Sequence, residues 1–272
     1  MSNDHHLARL LADEAGGLLL ALRRDVTVGD PAALRAAGDA RSNAELLRRL
    51  AQLAPGDRVL SEESADDPAR LGAKRVWIID PLDGTREFGE IPRVDWAVHV
   101  ALWSAGRLVA GAVAQPAAGR TYATDTPQVV PPRPVGSPWR FAVSRTRPPR
   151  FVAELAQRLD AQLVPMGSAG VKAMSVLTGE CDAYVHAGGQ FEWDSAAPVA
   201  VALAAGLHAS RIDGSPLRYN QPDPSLPDLI VCRPELADEL LGCVSDLLEP
   251  SRSRTGSRSS DRHLARLEEL TA

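Results

Sequence analysis

The chain has few cysteines and few aromatic residues, and each shortage argues against particular kinds of site. Its three cysteines stand far apart and form no CxxC pair, which argues against a disulfide framework and a zinc site and favours a reducing compartment. Aromatic residues make up only 4% of the 272 residues, too few for surfaces that stack bases. Thirty basic against thirty-five acidic residues give a net charge of −5, so no basic excess indicates a nucleic-acid partner.

The sequence also lacks a long apolar run. The longest such run, 196–205, is too short to span a bilayer, and the first residues lack the basic-then-apolar pattern of a signal peptide. We therefore expect a cytoplasmic protein with no membrane partner. The remaining composition, 44% hydrophobic and 24% charged, is typical of a globular protein with one large or two modest domains.

Hydrophobic periodicity predicts an α/β protein in two halves. In the first half, leucine spacing predicts two helices and apolar β-branched runs predict four strands: helices at 5–24 and 39–53, and strands beginning at 58 and at 76–79, 94–102 and 108–115. In the second half, predicted strands alternate with predicted helices: strands at 141–144, 162–166 and 183–186, and helices at 149–160, 169–178 and 194–207. This alternation favours a layered α/β domain. We predict an N-terminal α+β half (1–130), a Pro/Gly/Ser-rich linker (126–138), a C-terminal α/β half (139–250) and a flexible Ser/Arg tail (251–272).

The most informative motif is the acidic block Asp80-Pro-Leu-Asp-Gly-Thr85. Asp80 follows four apolar strand residues, so it lies at the edge of a sheet where α/β sites form. The proline and the Gly-Thr pair fold the chain back, which can bring two carboxylates and a backbone carbonyl to one point, as Mg²⁺ requires. The amides of Gly84 and Thr85 can face a phosphate. The alternative, a pair of solvated loop acids, fits this placement poorly.

Three segments together resemble the inositol monophosphatase superfamily. Residues 77–85 (WIIDPLDGT) resemble its first signature, residues 192–197 (EWDSAA) its second, and residues 60–63 (LSEE) its glutamate pair. The resemblance implies an αβαβα sandwich of the inositol monophosphatase and sugar phosphatase type. It also implies a magnesium-dependent, lithium-sensitive phosphomonoesterase. Many members dimerise, which makes a homodimer an expectation here.

The resemblance also assigns roles to individual positions. Glu62, Asp80 and the Leu82 carbonyl would hold one Mg²⁺, and Asp80, Asp83 and Asp194 a second, with a third, weaker ion near Glu62. These ions neutralise the ester's charge and activate water.

A carboxylate-hydroxyl pair would orient the attacking water. The resemblance gives this role to Thr85 together with an acid twenty-three positions before Glu62, which is Asp39. In the family this acid lies in a Thr-x-x-Asp pattern, whose threonine position is Ala36 here.

The second half carries the features that set the substrate. Ser144-Arg145, Gly167-Ser168 with Lys172, and the segment 213–220 resemble the CysQ-type 3′(2′),5′-bisphosphate nucleotidases. That branch cleaves 3′-phosphoadenosine 5′-phosphate (PAP), and its sulfated form PAPS is a further expected substrate. Arg145 and Lys172 would bind the phosphate that is retained, with Gly84 and Thr85 at the phosphate that is cleaved.

Several alternatives remain open from the sequence. Arg145 is also explained as a surface charge and Ser168 as a helix cap, and His99 is interpreted as a core or sheet-face histidine. Inositol 1-phosphate or fructose 1,6-bisphosphate would use the same metal mechanism. A catalytically dead nucleotide sensor would need to lack a metal ligand, whereas all the matched ligands are present. An interaction protein would rest on the Ser/Arg tail alone.

Overall fold

A computed structural model describes residues 2–25 and 30–248. The predicted Ser/Arg tail, residues 251–272, lies outside the described residues. Two helices open the chain, α1 (Ser2–Arg24) and α2 (Pro31–Leu53). They precede a five-stranded sheet in the order β1-β2-β3-β4-β5, in which β1 and β2 are parallel and the other neighbours antiparallel. Its strands are β1 (Arg58–Ser61), β2 (Arg75–Asp83), β3 (Ala97–Ser104), β4 (Arg107–Gln115) and β5 (Arg120–Ala123), with the short helix α3 (Thr85–Gly89) after β2.

The second half forms another five-stranded sheet, in the order β7-β6-β8-β10-β9. Strand β6 runs parallel to β7 and β8, and β10 is antiparallel to β8 and β9. The strands are β6 (Trp139–Ser144), β7 (Ala161–Met166), β8 (Ala183–Ala187), β9 (His208–Ser210) and β10 (Asp228–Cys232). The helices are α4 (Arg150–Arg158), α5 (Ala169–Leu177), α6 (Glu192–Ala204) and α7 (Pro234–Leu248). Residues 126–138, between the two sheets, contain neither helix nor strand.

Three apolar clusters stack these elements into five layers. One cluster packs α1 and α2 against the outer face of the first sheet, through residues such as Leu11 and Trp77. The central cluster encloses α5 and α6 between the two sheets, and includes Ile78 and Val231. The third packs α4 and α7 on the outer face of the second sheet. The order helix–sheet–helix–sheet–helix confirms the predicted αβαβα sandwich, since each sheet buries both of its faces.

Some elements differ from those that the sequence predicted. Helix α2 begins at Pro31 rather than at residue 39, because Asp30 caps it through the amide of Ala32 and proline suits the first helical turn. The pattern did not predict β5, β9, β10, α3 or α7. Strands β5 and β9 are only four and three residues long, which is too short for a clear periodicity. Among the described residues, no helix combines the length and the apolar character needed to cross a membrane.

Candidate active site

A cavity of about 950 Å³ lies between the two halves of the molecule. One side of it carries four acidic residues, which we call the acidic end: Glu62, Asp80, Asp83 and Asp194. The same cavity is also lined by five basic residues, which we call the basic rim: Arg86, Arg145, Arg147, Arg150 and Lys172. Every predicted site residue except Asp39 lines this cavity. The structure therefore brings residues far apart in the sequence to one place.

The last residues of β2 and the turn that follows them build the centre of the acidic end. The Leu82 amide donates to Asp80 Oδ1 at 3.0 Å, which holds the Asp80 carboxylate against its own turn. Gly84 has a φ of 85°, a left-handed conformation that lets the chain turn at once into α3. Both aspartates are buried, at 1% and 8% exposure. The motif therefore places two buried carboxylates one turn apart at the floor of the cavity.

Helix α2 reaches this turn because Gly38 has no side chain. A Cβ on Gly38 would lie 2.8 Å from Leu82 Cδ2 and 2.7 Å from a ring carbon of Phe88. The next residue, Asp39, accepts a hydrogen bond of 3.2 Å from the Thr85 hydroxyl, which also lies 3.0 Å from the Leu82 carbonyl. The hydroxyl has one proton, so it serves one of these acceptors at a time. The predicted pairing of Asp39 with Thr85 is thus present in the geometry.

The carboxylates of the acidic end repel one another. Burial is the main reason that the pKa of Asp80 is raised well above its ordinary value, and the charges of Glu62, Asp83 and Asp194 raise it further. Partial withdrawal from water and nearby acids raise the pKa of Glu62, and likewise that of Asp194, to about 7. Burial and the charge of Glu63 raise the pKa of Asp39 to about 6. The cluster is therefore a place where added positive charge is strongly favoured.

Asp83 differs from its neighbours because its carboxylate binds the start of α5. It accepts hydrogen bonds from the Ser168 hydroxyl, from the Ala169 amide at 3.1 Å and from the Gly170 amide at 2.7 Å. Burial opposes its ionisation, but the charges of His99 and Lys172 and these hydrogen bonds outweigh burial and keep its pKa below the ordinary value. The predicted metal ligand Asp83 thus also connects the first sheet to a helix of the central layer.

His99 is a site residue that sequence reasoning interpreted only as a core or sheet-face histidine. It is fully buried in β3, directly opposite Asp80 in the strand pairing. Its Nε2 lies 3.1 Å from Asp83 Oδ2, and its Nδ1 lies 3.1 Å from the carbonyl oxygen of Trp193. Antiparallel pairing of β2 with β3 produces this contact, and no local signal in the sequence reveals which residue of β3 pairs with Asp80.

The basic rim contains one arginine that is fully engaged by acids. Arg145 Nε lies 2.6 Å from Glu87 Oε1, and its Nη2 lies 2.6 Å from Glu90 Oε2. The Ser144 hydroxyl accepts from the Arg147 amide at 3.2 Å, so it stabilises the turn after β6. Arg145 therefore lines the cavity, but its charge is already compensated in this conformation.

Lys172 is buried at the inner edge of the rim. Its Nζ donates to the Ser168 carbonyl at 2.6 Å and lies 5.3 Å from the centre of the Tyr184 ring. Burial lowers its pKa from the ordinary value, although the charges of Asp83 and other nearby acids oppose that shift. The neighbouring Gly167 donates its amide to Asp95 at 2.7 Å. These contacts fix the segment 167–172, which is also hydrogen-bonded to Asp83 of the acidic end.

Three further arginines of the rim were not predicted as binding residues. Arg86, Arg147 and Arg150 are exposed to the cavity, and none of them has an ion-pair partner in the part of the chain that the structure describes. Burial lowers the pKa of His186, which also lines the cavity, to about 4, and the charges of Lys172 and Arg147 act in the same direction. The short segment 145–150 after β6 thus presents uncompensated positive charge to the cavity.

The donor set of the acidic end fits a hard divalent cation. Its carboxylates, together with the Leu82 carbonyl, offer only oxygen atoms, and among the described residues Asp80 has no basic side chain close enough for a strong ion pair. Raised pKa values at three of the four acids show that compensation from protein charges alone is incomplete there. Asp80, Asp83 and His99 also bring ligand atoms within 4.8 Å of one another.

Comparison with known proteins identifies the family. The sequence profile of the Inositol monophosphatase family matches residues 7–247. The chain belongs to this family. It is 56% identical over 240 residues to a 3′-phosphoadenosine 5′-phosphate phosphatase of Mycobacterium tuberculosis, covering 86% of this chain and 90% of that protein. A protein of the same name from Mycobacterium leprae is 52% identical over 255 residues, covering 90% of this chain and 94% of the relative.

More distant relatives agree with this assignment. The 3′(2′),5′-bisphosphate nucleotidase CysQ of Escherichia coli K12 is 33% identical over 206 residues, covering 67% of this chain and 78% of that protein. An inositol monophosphatase from Zymomonas mobilis superposes with a TM-score of 0.73 at 22% identity, covering 90% of this chain and 98% of its own, which shows the shared fold. Enzymes of this family are metal-dependent, and this chain brings Asp80, Asp83 and His99 together in a cluster that could hold a metal ion.

Proposed function

We propose that the protein is a magnesium-dependent phosphatase that removes the 3′-phosphate of PAP, and by the same chemistry that of PAPS, to leave the 5′-substituted nucleotide. One observation carries this proposal: a single cavity has an acidic end and a basic rim. A substrate with one phosphate to be cleaved and another to be kept needs both. An ester with a single phosphate would have no use for the uncompensated arginines of the rim.

The named relatives support the same substrate. Proteins called 3′-phosphoadenosine 5′-phosphate phosphatase share more than half of their aligned residues with this chain. The residues predicted for the substrate, Ser144, Arg145, Gly167, Ser168 and Lys172, all line the cavity. Fold likeness to inositol monophosphatases does not decide the substrate, since one fold accepts several esters.

We assign the reacting phosphate to the acidic end. Glu62, Asp80, Asp194 and the Leu82 carbonyl, with Asp83, would hold Mg²⁺ there. Bound Mg²⁺ supplies neutralisation of the phosphate's charge, activation of water and stabilisation of the leaving oxygen. No covalent protein nucleophile is required. The residues of the chain hold the metal, orient the attacking water and bind the phosphates.

The Asp39–Thr85 pair would handle the proton of the attacking water. The Thr85 hydroxyl donates to Asp39, which leaves a lone pair on the threonine oxygen for the water. As the water gives its proton to the threonine oxygen, the threonine proton passes to Asp39. Gly84 and Thr85 line the cavity, where their amides would donate to phosphoryl oxygens. Elsewhere in the cavity lining, Arg147 and Arg150 would bind the retained phosphate together with Lys172 and Arg145.

Phosphate release on a panel of esters tests the proposal. The panel contains PAP, PAPS, inositol 1-phosphate, fructose 1,6-bisphosphate and AMP, each with Mg²⁺ and with EDTA. The proposal predicts strong preference for the two 3′-phosphonucleotides, and loss of all release in EDTA and in Asp80→Asn. Equal or faster release from inositol or fructose esters would overturn the substrate while keeping the metal chemistry. No Mg²⁺-dependent release from any ester would overturn the enzyme assignment.

A further inference from the structure

His99 lies between two elements, β2 and α6, that carry three acids of the candidate metal centre. Its own strand, β3, pairs with β2, which bears Asp80 and Asp83, and its Nδ1 faces the carbonyl oxygen of Trp193, the residue directly before Asp194. Its Nε2 lies 3.1 Å from Asp83 Oδ2. One side chain therefore touches both the turn after β2 and the start of α6.

Close packing against Gly170 holds the His99 ring in this position. The side chain is fully buried, and Gly170 in the first turn of α5 packs directly against it. A Cβ at residue 170 would lie 2.0 Å from His99 Nε2 and 2.9 Å from Cε1, distances that no packed side chain tolerates. Residue 170 has an ordinary helical backbone, so the ring, rather than the backbone conformation, requires glycine there.

We propose that His99 is a positioning residue, which together with Gly170 fixes Asp83 relative to Asp80 and Asp194 and so sets the affinity of the site for divalent metal. This inference rests on the proposed function. It assigns a role to a residue that the family signatures of the sequence do not include. His99 itself would act through Asp83 and through the Trp193 carbonyl rather than on the substrate.

A metal centre needs Asp80, Asp83 and Asp194 at a fixed spacing from one another. The carboxylates of the acidic end repel one another, so each needs a contact that holds it in place before a cation arrives. Asp80 is held by the Leu82 amide and Asp194 by the Phe191 amide, at 3.0 and 2.7 Å. Asp83 accepts hydrogen bonds from three donors at the start of α5. It also contacts the His99 ring, which belongs to β3 and contacts α6. Loss of His99 would leave Asp83 attached to α5 alone.

Substitutions can remove the two contacts of His99 one at a time. His99→Gln keeps an amide nitrogen near the position of Nε2 and hence the contact to Asp83. His99→Asn keeps a nitrogen near Nδ1 and hence the contact to Trp193, but it does not reach Asp83. His208→Asn is the matched control, because His208 is half-buried in β9 and its side chain contacts Ser210 rather than the cavity. Gly170→Ala displaces the ring without changing His99 itself.

Metal binding is the decisive readout, measured by titration calorimetry with Mg²⁺ and by the electron paramagnetic resonance of Mn²⁺, without substrate. We expect His99→Asn and Gly170→Ala to weaken metal affinity about 10-fold to 100-fold, the range for residues that orient metal ligands, with partial rescue in His99→Gln. The double variant His99→Asn/Gly170→Ala should bind no more weakly than either single variant, because the clash that alanine creates disappears with the ring.

The outcomes separate this inference from the proposed function. If the wild-type protein binds neither cation, the metal site itself is wrong. If it binds them and His99→Asn binds equally well, with the fold confirmed by circular dichroism, the positioning role is wrong. Additive losses in the double variant would also contradict it, since they would mean that His99 and Gly170 act independently. A lower melting temperature of the EDTA-treated variants with unchanged metal affinity would reduce His99 to a packing residue and overturn the proposal.

Discussion

The acidic end and the basic rim of the cavity are built in different ways. The acidic end depends on one compact motif, whose buried aspartates are fixed by backbone amides of the turn and of α5. The rim depends on arginines of the exposed segment 145–150, and only Arg145 among them is paired with acids. Rigid, mutually repelling carboxylates suit a metal centre, where geometry must be set in advance. Long cationic side chains suit recognition of a second phosphate, where the ligand itself completes the charge balance.

This contrast predicts that substitutions at the acidic end abolish turnover, whereas substitutions at the rim shift substrate preference. Asp80→Asn should lower kcat about 10³-fold, equivalent to about 4 kcal/mol, because it removes a buried charge shared by both predicted metal positions. Steady-state phosphate release with PAP measures this. Asp160→Asn, in the exposed turn before β7, should leave kcat unchanged. A fall of less than about tenfold in Asp80→Asn would contradict the role of Asp80.

Thr85→Val and Asp39→Asn test the proton-handling pair. Each should lower kcat about 10²-fold with little change in KM, since the pair acts on the attacking water rather than on the bound ester. Thr85→Ser keeps a hydroxyl within reach of Asp39 and should recover most of the activity. A Thr85→Val enzyme with wild-type kcat would remove this pair from the mechanism.

Asp194→Asn tests whether the acidic end destabilises the metal-free protein as the pH rises. Burial and Asp83 raise the pKa of Asp194 to about 7, above the value near 4 of an unfolded aspartate. The folded metal-free protein thus binds more protons than the unfolded chain between about pH 4 and 7, and it loses stability as the pH rises through this range. The Asp194→Asn variant has no carboxyl group at this position, so its stability does not fall with pH for this reason. In EDTA, Asp194→Asn should gain roughly 2 kcal/mol over the wild type between pH 5 and 7.5, after allowance for screening by cavity water.

Thermal unfolding in EDTA at the two pH values measures this difference. The gain should vanish when saturating Mg²⁺ is added, because the metal compensates the charge of Asp194 in the wild type. A difference between the two proteins that does not depend on pH would show that Asp194 titrates as an ordinary aspartate.

Arg147→Gln and Arg150→Gln test the basic rim. Each should raise KM for PAP about 10-fold, the loss of one charge-assisted hydrogen bond, and should leave 3′-AMP nearly unaffected because that ester lacks the 5′-phosphate. Arg107→Gln, exposed at the start of β4, is the matched control. Equal effects on both esters would place the two arginines outside the subsite for the retained phosphate.

Glu90→Gln should have the smallest effect, in the opposite direction. It removes one of the two acids that hold Arg145, so the guanidinium becomes available to a phosphate at low cost. We expect kcat/KM for PAP to rise about 2-fold to 4-fold at low salt, a gain of about 0.5 kcal/mol that added salt should erase. Glu154→Gln, exposed in α4, is the control. A loss of activity in Glu90→Gln would mean that Arg145 works in its paired position.

The comparison also explains which parts of the site could be predicted from the sequence. The acidic end is largely local: Asp80, Asp83, Gly84 and Thr85 lie in one turn, and Asp194 lies in the first turn of a helix. The layered fold also followed from periodicity and from the family resemblance. His99 could not be predicted, because its contact depends on which residue of β3 pairs with Asp80.

The rim was harder to predict for a different reason. Ser144 and Arg145 belong to a recognisable segment, but the charge of Arg145 is compensated by Glu87 and Glu90, two acids from the other half of the chain. Arg147 follows in an irregular segment without periodicity, and Arg150 is the first residue of α4. Long-range ion pairs decide which arginine is available to a ligand. Such pairs cannot be predicted from a single sequence.

The central claim is that one cavity binds two phosphates and cleaves one of them. The most direct test is the ratio of kcat/KM for PAP to that for 3′-AMP, two substrates that differ only in the 5′-phosphate. The account predicts a ratio of about 10² in the wild-type protein, as expected for two charge-assisted contacts, falling toward 1 in the Arg147→Gln/Arg150→Gln variant. A ratio near 1 in the wild type, or a high ratio that the double variant retains, would contradict it.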